Sequence, residues 1–158
     1  MSRRVGGVSI LSAAALLLAG VPATADTFKG CYGAKYTTLE VLEISEGHSV
    51  VSWTAFGTGY VLEDPSSPFN GMSGPCTEAI EIKDDMVVDH TGKCVRTDKD
   101  GDKILVSVGS FETLSNGTWT IEGLTGKFLG IKGAGTWRVL AENDKYYHAC
   151  FDMTWTRE

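Results

Sequence analysis

Positive charge is scarce in this chain. Its 158 residues hold 14 Lys and Arg against 20 Asp and Glu, and the first 25 residues take two of the bases (Arg3 and Arg4) and none of the acids. Residues 26–158 are therefore left with 12 bases against 20 acids. A nucleic-acid binder needs a basic footprint for phosphates, and docking on anionic lipid needs charge of the same sign, so neither partner is expected. Histidine is also rare. His48, His90 and His148 are scattered, and no Cys-x-x-Cys pair exists, so the usual spacing of a zinc site is missing. No stretch carries the period of an amphipathic helix. Only one apolar run is long, and it falls short of the ~20 residues a membrane span needs.

That run explains the N-terminus. Met1-Ser-Arg-Arg4 is positive, Val5–Val21 is apolar, Pro22 breaks a helix, and Ala23-Thr24-Ala25 has the small-x-small form of a cleavage site. The pattern predicts a secretory signal peptide over 1–25 and one exported domain over 26–158, secreted or periplasmic. Asp26 follows the expected cut, where a lipid-anchored protein would have cysteine.

All four cysteines (Cys31, Cys76, Cys94, Cys150) lie after that cut. An even number in an exported chain reads as two disulfides, and three pairings are open. Cys76 and Cys94 flank a predicted hairpin at Lys83-Asp84-Asp85-Met86, which favours joining them and leaves Cys31 for Cys150. Each closed loop would contribute ~3 kcal/mol or somewhat more.

Short β-branched and aromatic runs separated by Gly, Asn, Asp and Pro predict an all-β sandwich or barrel. Candidate strands include Phe28–Tyr36, Thr38–Ile44, Ser49–Thr58, Gly59–Glu63, Val87–Thr91, Lys93–Thr97 and Tyr146–Thr156, some of which must merge. Asp64–Pro75 reads as a cap over one barrel end, and Asn116-Gly117 has the residues of a tight hairpin turn. Alternation puts Tyr147, Ala149, Phe151, Met153 and Trp155 on one face of the last strand. It likewise puts Trp53, Trp119 and Trp137 on the more apolar faces of theirs. Core packing accounts for much of this pattern. A barrel of about eight strands is also just wide enough to hold one small ligand, so Trp53, Trp119, Trp137, Phe151 and Trp155 are the expected ligand-lining residues.

The segment Gly117–Trp137, with Gly123-Leu-Thr-Gly-Lys-Phe-Leu-Gly-Ile-Lys-Gly133 at its centre, resembles the glycine-rich hairpin of allene oxide cyclases and dirigent proteins. The rest of the chain is similar to exported bacterial proteins with a barrel of that kind. The resemblance implies an antiparallel up-and-down β-barrel of about eight strands, assembly into homo-oligomers, and control of a reactive substrate in a rigid hollow without cofactor. The catalytic residues of those families have no matching positions here.

Other candidate sites are weaker. Asp98, Asp100 and Asp102 alternate on a Gly-containing loop in a way that suggests Ca²⁺. Lys103 stands where a calcium loop has glycine, and the later glutamate is missing, so a solvated acidic turn is the better reading. Gly126-Lys127-Phe128 lacks the Ser/Thr of a phosphate loop. His48, Glu112, Arg138, His148 and Asp152 have acid–base chemistry but sit on faces expected to be wet. The inward faces read as nearly all apolar. Three functions remain: a barrel binding a small apolar or aromatic molecule, a cofactor-free isomerase or stereochemical guide, and a packed structural or interaction module.

Overall fold

Alternating β-branched and aromatic residues form nine strands in the computed structural model, which describes residues 25–113 and 115–158, with the backbone alone for 110–112. The expected signal peptide, Ala25 aside, lies outside the described residues. The strands are β1 (Asp26–Ser45), β2 (His48–Gly57), β3 (Val61–Leu62), β4 (Gly74–Lys83), β5 (Met86–Thr97), β6 (Lys103–Thr113), β7 (Asn116–Gly123), β8 (Ile131–Glu142) and β9 (Tyr146–Arg157). Among the described residues a single 3-10 turn, Gly126–Phe128, interrupts them.

Eight strands close into an antiparallel barrel, in the order β2-β4-β5-β6-β7-β8-β9-β1, and β1 pairs back to β2. The 20-residue β1 makes the closure: residues 26–35 pair with β9, and residues 34–45 pair with β2. A register shift between Tyr36 and Thr38 marks the switch. Phe28–Tyr36 and Thr38–Ile44 are therefore one strand, and Val87–Thr91 and Lys93–Thr97 likewise merge into β5. Asp84 and Asp85 form the β4–β5 turn at positive φ of 50° and 62°. Asn116-Gly117 is not a turn: both residues are paired within β7, to Arg138 and Trp137 of β8. β6 ends at Thr113, just before them in the chain.

The barrel has a filled end and an open end. At the filled end, the segment after β3 folds inward and buries Phe69 and Met72 completely. Phe69 stacks on Phe28 at 4.4 Å and meets Phe128 and Trp155 at 5.3 and 5.5 Å. Each such ring contributes about 1.5–3 kcal/mol by burial. Around it, Ile104, Ile131, Phe151 and Met153 are buried from three different strands. Outward positions of β8 and β9 carry Lys132, Thr136, Arg138, Asp152 and Thr154, all exposed.

Both cysteine pairs face each other across neighbouring strands. Cys31 is the register partner of Cys150, and Cys76 of Cys94, and both pairs are disulfide-bonded. The first pair is half-buried on the barrel's outer side, and the second is buried in the core.

Candidate functional site

Above the filled end the barrel is hollow. A cavity of about 260 Å³ is lined by Tyr32 and Tyr36 from β1, Val51 and Trp53 from β2, Glu78 and Ile80 from β4, and Cys94 from β5. Val108, Trp119, Trp137, Val139 and Tyr147 complete the wall, and Leu39 and Glu142 contribute from the far ends of β1 and β8. Alternation explains the set, because every second residue of each strand points to the axis. Trp119 forms part of the floor: it packs on Phe151 at 4.9 Å and stacks on Tyr32 at 6.3 Å.

Three of the five expected lining residues, Trp53, Trp119 and Trp137, border this cavity. Phe151 and Trp155 do not. Phe151 is buried below, against Tyr60 at 4.9 Å and Phe28 at 5.7 Å, and Trp155 packs on Phe69 at the filled end. Strand parity identified the correct side for both residues, but height along the axis separates cavity from core, and parity carries no height.

The inward faces are not nearly all apolar. Glu78 stands on the cavity wall with its side chain only 10% exposed, and His90 Nε2 lies 3.4 Å from its carboxylate. His90 also stacks on Trp53, with ring centroids 6.4 Å apart. Arg96 is fully buried beneath the floor. Its Nη1 donates to the Gly74 carbonyl at 2.6 Å and its Nη2 to Cys76 Sγ at 3.2 Å, and its guanidinium carbon lies 5.2 and 5.4 Å from the ring centroids of Tyr32 and Tyr60. Sequence reading passed over Glu78 and Arg96, although a signal was present. Each sits two residues after a cysteine of the inner disulfide, so each shares that cysteine's face.

Two glycines make the room for them. A Cβ at Gly57 would overlap the Arg96 guanidinium, and one at Gly92 would come within 2.7 Å of Glu78 Cγ. Arg96 is thus built into the fold, and its removal has an expected cost. Arg96→Ala removes the bond to the Gly74 carbonyl and opens a large void, for a loss of about 3 kcal/mol or more. Arg96→Met, which fills the space without charge, should recover most of that loss. Urea denaturation of the two variants checks this, and equal losses would assign the stability to the guanidinium's polar contacts instead.

Burial raises the phenol pKa of Tyr147 above its ordinary value, and the negative charge of Glu78 adds to the effect. For Tyr36, which donates to Glu142 Oε1, burial and that hydrogen bond act in the same direction. The cavity therefore favours neutral phenols at Tyr36 and Tyr147. Among the described residues, the buried indole N–H groups of Trp53 and Trp119 have no partner. A buried unpaired donor costs about 1–3 kcal/mol until something accepts from it.

The remaining candidates lie away from the cavity. His48 pairs with Glu81 at 2.7 Å, Asp152 with Lys29 at 2.9 Å, and Arg138 and His148 are exposed. The side chain of Glu112 lies outside the described residues. Asp98 Oδ1 accepts from the backbone N–H of Asp100 and Asp102, its Oδ2 meets Lys127 Nζ at 2.5 Å, and Lys127 also pairs with Asp100 at 3.0 Å. Asp102 accepts from the Lys127 N–H at 3.1 Å. These carboxylates brace the β5–β6 turn against the 3-10 turn through one lysine.

The sequence matches no protein-family model and no curated protein, so the functional argument stands on the barrel and its cavity. They define a small, closed β-barrel with an aromatic-lined hollow at one end.

Proposed function

We propose that this domain is an exported binding protein that holds one small apolar or aromatic molecule in its lumen. The observation that carries the reading is the cavity of about 260 Å³ walled by Trp53, Trp119, Trp137 and three tyrosines. That volume lies just under the roughly 300–1,000 Å³ of sites for drug-sized molecules, which points to a ligand of one or two rings. Two disulfides support export to an oxidising compartment, either secreted or periplasmic. We place the domain with the allene oxide cyclase and dirigent barrels as a proposal, which the eight-strand closure favours.

Tryptophan fluorescence titrated with 2-naphthol tests the reading. Saturable quenching at one molecule per barrel is expected, weakened in Trp119→Ala and abolished in Val108→Trp, which fills the hollow. Linear, non-saturating quenching of the wild type would remove the reading.

One observation favours a second function, the cofactor-free isomerase or stereochemical guide. The Glu78–His90 pair gives the wall an acid–base couple at 3.4 Å. In that case Glu78→Gln would bind the same molecule and fail to convert it.

A further inference from the structure

We propose that the molecule selected by this lumen is an organic cation, a small amine or quaternary ammonium with an apolar body. The inference rests on the lumen-binding reading and narrows it to a ligand class. Both charged residues on the cavity wall are acids: Glu78 from β4 and Glu142 from β8. The rings of Trp53, Trp119 and Trp137 line the same cavity, and the face of an aromatic ring carries the negative end of its quadrupole. A positive charge on a ligand would meet carboxylates and ring faces together, and its hydrocarbon part would fill the apolar remainder.

Among the described residues, no basic side chain lines that space. Arg96 is wholly enclosed, lies beyond the Tyr32 ring and does not line the cavity. His90 contacts Glu78 at 3.4 Å, and its side chain is 1% exposed. The chain's acidic balance, 20 acids to 14 bases, adds a field that concentrates cations around the domain. An anion of the same shape would face two carboxylates with no lysine or arginine in the wall.

Isothermal titration of the full domain with three probes of similar size tests the inference: benzyltrimethylammonium, its uncharged carbon isostere neopentylbenzene, and phenylacetate. The cation is expected to bind about tenfold tighter than the isostere, with a preference that shrinks in high salt. Glu78→Gln and Glu142→Gln should each cut that preference about threefold or more. Equal or tighter binding of the isostere, or tightest binding of phenylacetate, would overturn the cationic assignment and leave lumen binding intact. Failure of all three probes to bind would remove lumen binding itself. A preference that survives both substitutions would overturn the role given to the carboxylates. The wild-type comparison of probes and salt decides the ligand class even where a variant fails to fold.

Discussion

Replacing Cys31 and Cys150 together by serine is expected to lower the free energy of unfolding by about 4–5 kcal/mol. The two residues are 119 positions apart, so their bond closes a loop spanning nearly the whole barrel. In the chain-entropy account, a loop of ~100 residues restricts the unfolded ensemble by about 4.7 kcal/mol, against about 3 for a loop the size of Cys76–Cys94. The outer pair is also the cleaner test. It is half-buried on the outside of the barrel, so serine there disturbs little packing. Cys76 and Cys94 are 2% and 3% exposed, and hydroxyls in their place would add a burial cost unrelated to loop closure. Guanidinium denaturation of the oxidised wild type and the double variant, with the slope as well as the midpoint compared, measures the effect. A loss under about 1 kcal/mol would mean that the eight-strand ladder already restricts the unfolded chain, and the entropic account would fail for this bond. Because β1 pairs with both β9 and β2, this bond fastens the strand that closes the barrel, and the lumen depends on that closure.

The parts of the fold set by neighbouring residues were readable from the sequence. The last strand alternates Tyr147, Ala149, Phe151 and Met153 inward with Tyr146, His148, Asp152 and Thr154 outward, and this periodicity alone places its faces. The Lys83–Met86 hairpin and the pairing of Cys76 with Cys94 follow from local spacing in the same way. What resisted reading is non-local. The bulge at Thr37 lets one strand serve two partners, and nothing in Tyr36-Thr37-Thr38 requires that. Asn116-Gly117 has turn chemistry, yet the hydrogen bonds of β8 capture it as a strand. Glu78 and Arg96 break the hydrophobic pattern of their own strands. They are tolerated because Gly92, on the strand next to Glu78, and Gly57, on β2 with β4 between it and Arg96, leave space for them. A charge on an apolar face reads as an irregularity until the vacancy opposite it is known. Trp53, Trp119 and Trp137 part company with Phe151 and Trp155 for a similar reason, since the cap at Phe69 decides which end is filled.

The same cap and floor predict an alkaline collapse. Tyr32, Tyr60 and Tyr147 are 8%, 3% and 8% exposed, and burial raises the pKa of each phenol above the ordinary 10.0. Below that value the folded and unfolded chains both hold these protons, and the three phenols give no pH dependence. Above it the unfolded chain releases them while the fold retains them. Stability then falls with rising pH, by about 1.4 kcal/mol per pH unit for each phenol. Three such groups remove about 4 kcal/mol per unit, so a domain of ordinary stability, about 5–15 kcal/mol, should unfold cooperatively between about pH 11 and pH 14. Arg96 favours the phenolates, and at Tyr60, Tyr32 and Tyr147 it opposes the burial effect without overcoming it. Phenolate absorbance and the β-sheet circular dichroism signal, followed together in exposures short enough to spare the disulfides, should change in one step. Ionisation of all five tyrosines near pH 10 with the sheet signal intact would show that the rings between lumen and core are open to water. The floor of the cavity would then be a channel.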